Sequence, residues 1–324
     1  NFPVFLMAFK LPAALLAGNS IVIKPAPTTP LTTLRFGELI ADVLPAGLVN
    51  IIADKNDLGD KITTHEGISK ISFTGSTATG SRVLASAAST LKRVTLELGG
   101  NDAGIVMDDV DVEAVAPQIF DGAFGNNGQI CIAMKRVYAH ESIYDKLVDQ
   151  LAELAKEAAV GNGLEQGTKL GPLQNKMQFE KVKDYIEEGR ADGTIVAGGD
   201  VPDGKGYFIP PTIVKDIDDE SRLVKEEQFG PVLPVIKYDD IDDVIERAND
   251  SDYGLGGSVW SSDTERAYEV AKKVDSGTIW VNKHADVQPH IPFGGIKTSG
   301  IGAELGEEGL AEFTARKVIN VAKA

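Results

Sequence analysis

The sequence predicts an α/β protein built on two open parallel sheets. Three observations point there. Short β-branched runs alternate with helical stripes along the chain, as strand–helix–strand units of a parallel sheet require. The length, 324 residues, suits about two domains of ~150 residues each. Gly99-Gly100 then punctuates a restart of the same alternation.

The elements follow in order. Residues 20–23 read as a β-branched strand ended by Lys24-Pro25. Thr29 offers an N-cap with Pro30 at the first helical position, and Leu31, Leu34, Leu39, Ile40 and Val43 form a helical stripe stopped by Pro45 and Gly47. Residues 49–52 and 68–73 read as strands, 76–88 as a helix and 94–98 as a strand. Beyond the glycine pair, strands are expected at 103–107 and 136–140, with helices at 112–124 and 143–158. A polar loop at 161–171 leads to a helix over 176–188 that Gly189 should stop. Further strands are expected at 195–196, 208–214, 232–236, 257–260 and 278–281, and helices at 241–248 and 264–274.

Composition narrows the function. Lys and Arg number 32 against 48 Asp and Glu, a net charge of −16, which argues against nucleic acid and against an anionic membrane surface as partners. One cysteine, Cys131, excludes an internal disulfide framework, and four histidines without helical metal spacing give no metal site. Acidic runs such as Asp216-Ile-Asp218-Asp219-Glu220 lack the glycine of a calcium loop and read as loop or helix-start charges. The apolar stretch over residues 2–23 is broken by Lys10, Pro12, Gly18, Asn19 and Ser20, and no basic residues precede it. Neither a membrane span nor a secretory leader is expected; the expectation is a soluble cytoplasmic protein.

Four places could carry chemistry. Cys131 follows the polar lead-in Gly125-Asn126-Asn127-Gly128-Gln129; a lone cysteine is commonly a core residue, but this setting suits a nucleophile exposed to a cleft. Glu97, in Leu96-Glu97-Leu98-Gly99-Gly100, is either a strand-end carboxylate facing water or a general base with a pKa raised by burial. Phe73-Thr74-Gly75-Ser76 leads a strand into a helix, where free N–H groups suit a phosphate, although a plain helix cap explains Ser76 as well. Lys24 ends a strand on the side where open α/β sheets bind ligands, with a solvated lysine as the alternative.

Taken in order, these pieces resemble the aldehyde dehydrogenase family. The stretches that carry the resemblance are Asn1-Phe2-Pro3, Gly18-Asn19-Ser20-Ile21-Val22-Ile23-Lys24-Pro25, Phe73-Thr74-Gly75-Ser76 and Leu96-Glu97-Leu98-Gly99-Gly100. They continue with Gly128-Gln129-Ile130-Cys131, Glu226-Glu227-Gln228-Phe229-Gly230-Pro231 and Pro292-Phe293-Gly294-Gly295. The resemblance implies oxidation of an aldehyde to a carboxylic acid through a cysteine thiohemiacetal and thioester, with hydride transfer to NAD, or to NADP. It implies that Cys131 attacks the carbonyl, that Asn1 and the Cys131 N–H hold the oxyanion, and that Glu97 activates water. Glu304 would pass the proton onward. Lys24, Gly75, Ser76, Leu98, Glu227 and Phe229 would bind the cofactor, and Ile130, Ile132 and Phe293 would line an apolar substrate path.

The domains implied are a partial Rossmann-like cofactor domain at 1–99, a catalytic domain at 100–298 and a C-terminal segment at 299–324 that returns to the cofactor and oligomerisation region. The assembly implied is a homodimer or homotetramer. Family members also carry a segment ahead of the position that Asn1 matches, so residues 1–324 are expected to be part of a longer enzyme and weakly active alone. Two departures bear on this reading: that missing segment, and Pro27, which stands where many NAD-preferring members have an acid and so leaves NADP open. A truncated, non-catalytic relative serving as a structural protein is the alternative. Retention of Asn1, Glu97, Cys131 and Glu227 argues against it.

Overall fold

The computed structural model describes residues 1–323 and divides the chain into two units. The larger comprises Asn1, Leu98–Asp286 and Gly295–Ser299; the smaller comprises Phe2–Glu97, Val287–Gly294 and residues 300–323.

In the larger unit, seven strands form one sheet in the spatial order Thr278–Val281, Gly256–Trp260, Asp102–Val106, Met134–His140, Val232–Tyr238, Thr212–Lys215 and Thr194–Ala197. All neighbours pair in parallel except the last two. Asp102–Val106 is buried at every position, as a strand covered on both faces must be. Its side chains alternate between two cores. Ile105 packs with Val182, Tyr185 and Ile186 of the helix Lys176–Asp192. Val106 packs with Ile119 and Phe120 of the helix Val112–Phe124 and with Leu147 and Leu151 of the helix Glu141–Glu157. Leu147 is wholly buried, so Leu147→Ala is expected to cost about 2–5 kcal/mol, read from the denaturant midpoint at unchanged slope.

The acidic surplus is partly used at helix starts. Asp111, Asp240 and Asp263 each accept backbone N–H bonds at the first turn of the helices Val112–Phe124, Ile241–Asn249 and Thr264–Ala271.

The smaller unit holds two sheets rather than one. Ile21–Ile23 pairs in parallel with Val49–Ile51. Lys70–Thr74 pairs in parallel with Arg93–Glu97, and Gly300–Ile301 adds antiparallel on the other side of Arg93–Glu97.

Four details depart from the sequence reading. The apolar stretch near Phe2 contains a helix, Pro3–Leu16, which buries Met7, Leu11 and Ala14 on one stripe. The helix Leu31–Ile40 starts after Pro30 without a side-chain cap from Thr29, and it ends before Pro45. Gly189 does not stop its helix, which runs to Asp192; a Cβ there would lie 3.0 Å from Val214 and 3.1 Å from Leu223, so the glycine lets helix and sheet approach. The strand expected from residue 208 begins at Thr212, because Pro210 and Pro211 have no N–H for a ladder. Among the described residues, no helix is long and apolar enough to cross a membrane.

Candidate active site

The larger unit carries Cys131 on a loop built under strain. The helix Val112–Phe124 gives way to a 3-10 turn, Gly125–Gly128. There Asn126, Asn127 and Gly128 have φ of +50°, +59° and +70°. Three successive left-handed residues are costly unless their surroundings fix them, and asparagine and glycine bear that conformation best. The fixing bonds are present. Asn127 Nδ2 donates to the Gly171 carbonyl at 2.8 Å, and Gln129 Oε1 accepts from the Gln174 N–H at 2.9 Å. A Cβ on Gly128 would sit 2.3 Å from the Gly230 carbonyl oxygen, so only glycine fits.

The loop delivers Cys131 partly exposed, between half-buried Ile130 and buried Ile132. Asn1 belongs to the same unit as Cys131. Behind the loop, Lys135 Nζ donates to the carbonyls of Ile130 at 2.7 Å and Cys131 at 2.8 Å. His284 Nε2 lies 2.7 Å from the Ile132 carbonyl oxygen. Burial lowers the His284 pKa to about 4, so the ring is neutral at pH 7. A carbonyl only accepts, so Nε2 carries the proton and Nδ1 accepts from the Ser258 hydroxyl at 3.1 Å.

Glu227 and Phe229 lie in the same unit. Glu227 Oε1 accepts the Gly100 N–H at 3.0 Å, and a Cβ on Gly99 would fall 2.6 Å from Oε2. The glycine pair thus lets this carboxylate lie against the backbone. Phe229 has φ of +50°, unusual for an aromatic residue. Gln178 Nε2 holds that turn by donating to the carbonyls of Gln228 at 2.8 Å and Phe229 at 2.9 Å. The Leu98 N–H donates to the Ser299 carbonyl.

The smaller unit carries Glu97 and Glu304. Glu97 ends the strand Arg93–Glu97 and is only 4% exposed, so it does not face water. Among the described residues neither of its oxygens accepts a hydrogen bond. Burial, and then the neighbouring Glu304 charge, push its pKa up to about 9, against the pull of Lys10. Glu304 is also buried; it pairs with the Lys10 ammonium and lies 3.4 Å from the Ser72 hydroxyl. Lys10 Nζ also donates to Thr74 Oγ1 at 2.8 Å. Phe293 is buried and exchanges two backbone hydrogen bonds with Glu304, which tie the two main-chain segments together.

Lys24 and Ser76 lie in this unit too. Lys24 Nζ sits 3.2 Å from Asp54 Oδ1. Burial pushes Asp54 up, but the Leu58 N–H and the Lys24 ammonium outweigh it and hold this carboxyl below its ordinary range. Gly75 precedes Ser76, whose hydroxyl accepts from the Thr79 N–H at 3.3 Å and caps the helix Thr77–Ala88. The cap expected as the plainer reading of Ser76 is therefore present.

Lys10, Asp54, Lys135 and His284 were not singled out from sequence as site residues. Lys10 had one visible signal, a charge in the middle of an apolar stretch.

Comparison with known proteins shows the family and the fold. The family model described as "Aldehyde dehydrogenase family" matches residues 1–319. A mitochondrial aldehyde dehydrogenase of Leishmania tarentolae is 45% identical over 326 residues, covering 99% of this chain and 66% of the relative. Aldehyde dehydrogenase 1A1 of Bos taurus is 43% identical over 325 residues, covering 99% of this chain and 65% of the relative. A Bacillus cereus aldehyde dehydrogenase, solved as an NAD+ complex, superposes with a TM-score of 0.94 at 41% identity, over 97% of this chain and 65% of that one. A lactaldehyde dehydrogenase superposes with a TM-score of 0.97 at 35% identity, over 100% of this chain and 69% of that one. The chain thus spans about 65% of the length of curated relatives that it matches. A family match over nearly every residue, with the same fold in solved relatives, makes this chain a member of the aldehyde dehydrogenase family.

Proposed function

We propose that the protein carrying this chain oxidises an aldehyde to a carboxylic acid with NAD or NADP as acceptor. The observation that carries the reading is the loop before Cys131, where three left-handed residues and two buried side-chain clamps hold the chain's only cysteine in place. Such strain is kept where a reactive group must be pre-positioned. In this reading Cys131 attacks the carbonyl, while its own N–H and Asn1 hold the oxyanion. Glu97 then takes a proton from water to hydrolyse the thioester and passes it toward Glu304. Residues 1–99 serve the cofactor, 100–298 the chemistry, and 299–324 return to the cofactor region. The decisive experiment is NADH formation across a panel of aldehydes, using protein expressed from its whole reading frame. Absence of turnover with every aldehyde would favour a non-catalytic relative.

The residues present fit a dinucleotide. Lys24 offers a cation at a strand end, the helix start at Ser76 offers N–H groups for a diphosphate, and Glu227 offers a carboxylate for a ribose diol. When bound, the nicotinamide accepts the hydride. Ile130, Ile132 and Phe293 supply apolar walls, which favours an apolar aldehyde. A catalytic thiol suits the cytoplasm, where cysteines stay reduced. A homodimer or homotetramer is the proposed assembly, to be read by sedimentation.

On cofactor choice, Pro27 brings no charge, but the Asp54 carboxylate sits on the Lys24 ammonium and disfavours a 2′-phosphate. Pro27→Glu adds a second carboxylate and is expected to raise the NAD-to-NADP ratio of kcat/KM about tenfold, equivalent to ~1.4 kcal/mol. An unchanged ratio would place Pro27 away from the ribose.

A further inference from the structure

We propose that Lys135 is a positioning residue that aims the Cys131 N–H at the oxyanion by gripping the loop's carbonyls from behind. The inference rests on the reading of Cys131 as nucleophile. Lys135 starts from the strand Met134–His140, within the seven-stranded sheet, and its side chain is only 2% exposed. Its ammonium has three protons and no acceptor, and burying it is costly unless all three find partners. Those partners are backbone oxygens: Ile130 at 2.7 Å, Cys131 at 2.8 Å and, more weakly, Ala133 at 3.4 Å. Its ion-pair partner Glu227 stands further off, at 3.8 Å.

The consequence follows from peptide geometry. In a planar trans peptide, the carbonyl and the following N–H point in opposite directions. Turning the Ile130 oxygen back toward Lys135 turns the Cys131 N–H away from it. Turning back the Cys131 oxygen does the same for the Ile132 N–H. The Cys131 oxygen has little room to escape, since a Cβ on Gly100 would already lie 2.5 Å from it. His284 extends the grip to the Ile132 oxygen at 2.7 Å. Carbonyls 130, 131 and 132 are therefore all held from the protein interior by two buried side chains rooted outside the loop.

The test separates aiming a donor from merely supporting a fold. Acylation of Cys131 by p-nitrophenyl acetate develops an oxyanion, whereas alkylation by iodoacetamide develops none. Both rates are measured in protein from the whole reading frame, on their high-pH plateaus so that thiol ionisation drops out. Lys135→Met is expected to slow acylation about a hundredfold, the effect of losing one oxyanion donor, and to leave alkylation within about threefold. Equal loss in both rates, or loss in neither, would overturn the proposal. If Lys135→Met does not fold, the same rates are read on Lys135→Gln, whose amide can hold one carbonyl. There the expected loss is about tenfold in acylation alone, and the same two patterns overturn the proposal. A wild-type protein in which neither reagent labels Cys131 would instead sink the nucleophile reading itself.

Discussion

Cys131→Ala, in protein expressed from its whole reading frame, is expected to abolish aldehyde oxidation and any ester hydrolysis. Cys131 is the only thiol among residues 1–324, so within this span no neighbouring sulfur can substitute. Alanine keeps the backbone N–H, the strained turn and the clamps of Lys135 and His284, so the variant isolates the nucleophile. A thermal midpoint close to wild type would show that the loop is retained. Turnover above the uncatalysed rate in that folded variant would refute the assignment.

Glu97→Gln has the second largest expected effect, and it acts on one half of the reaction. A positioned general base contributes about 10²–10⁴ in rate. The variant should still acylate, giving a burst of close to one equivalent of NADH, and then turn over slowly. The pKa near 9 adds a pH signature. At pH 7 only about one wild-type molecule in a hundred has this carboxylate ionised, so hydrolysis should rise about tenfold per pH unit and level off near pH 9. The amide variant has no group to titrate there, so its profile should lack that limb.

Stability supplies an independent check with a definite sign. The folded chain keeps this proton up to about pH 9, while the unfolded chain releases it near the ordinary value of 4.5. Folding therefore takes up a proton between those values, and stability falls as pH rises through that window. Glu97→Gln removes the penalty, so at pH 8 the variant should melt higher than wild type while hydrolysing more slowly. A lower melting point would mean that Glu97 is held by partners rather than burdened by burial.

Much of the larger unit was legible because its signals are periodic. The helix Val112–Phe124 and the strand Thr278–Val281 lie where the sequence pattern put them. Elsewhere boundaries moved where local chemistry was read without tertiary context, as at Gly189, which tightens a helix against a sheet and does not end it. Cys131 and Glu97 stood out by residue type and by the glycines beside them. Lys10, Lys135 and Asp54 did not, because a lone charge in a sequence most often belongs to water. Lys135 had a cue that periodicity could have used. With Arg136 it puts two cations at successive positions of a strand, and successive side chains point to opposite faces. If both faces are covered, neither cation can reach solvent, and both are in fact buried.

The ion pair between Lys10 and Glu304 joins residues 294 positions apart. Chains leave the ribosome from the N-terminus at about 5–20 residues per second, so roughly 15–60 s separate the synthesis of the two partners. Lys10 exists without Glu304 through that interval, as does Glu97 once it has been made, and until its close the strand Arg93–Glu97 lacks its neighbour Gly300–Ile301. No folding step, however fast, can complete the carboxylate cluster before Glu304 has been synthesised. The surroundings that raise the Glu97 pKa to about 9 thus stay incomplete until a residue more than two hundred positions downstream has been made.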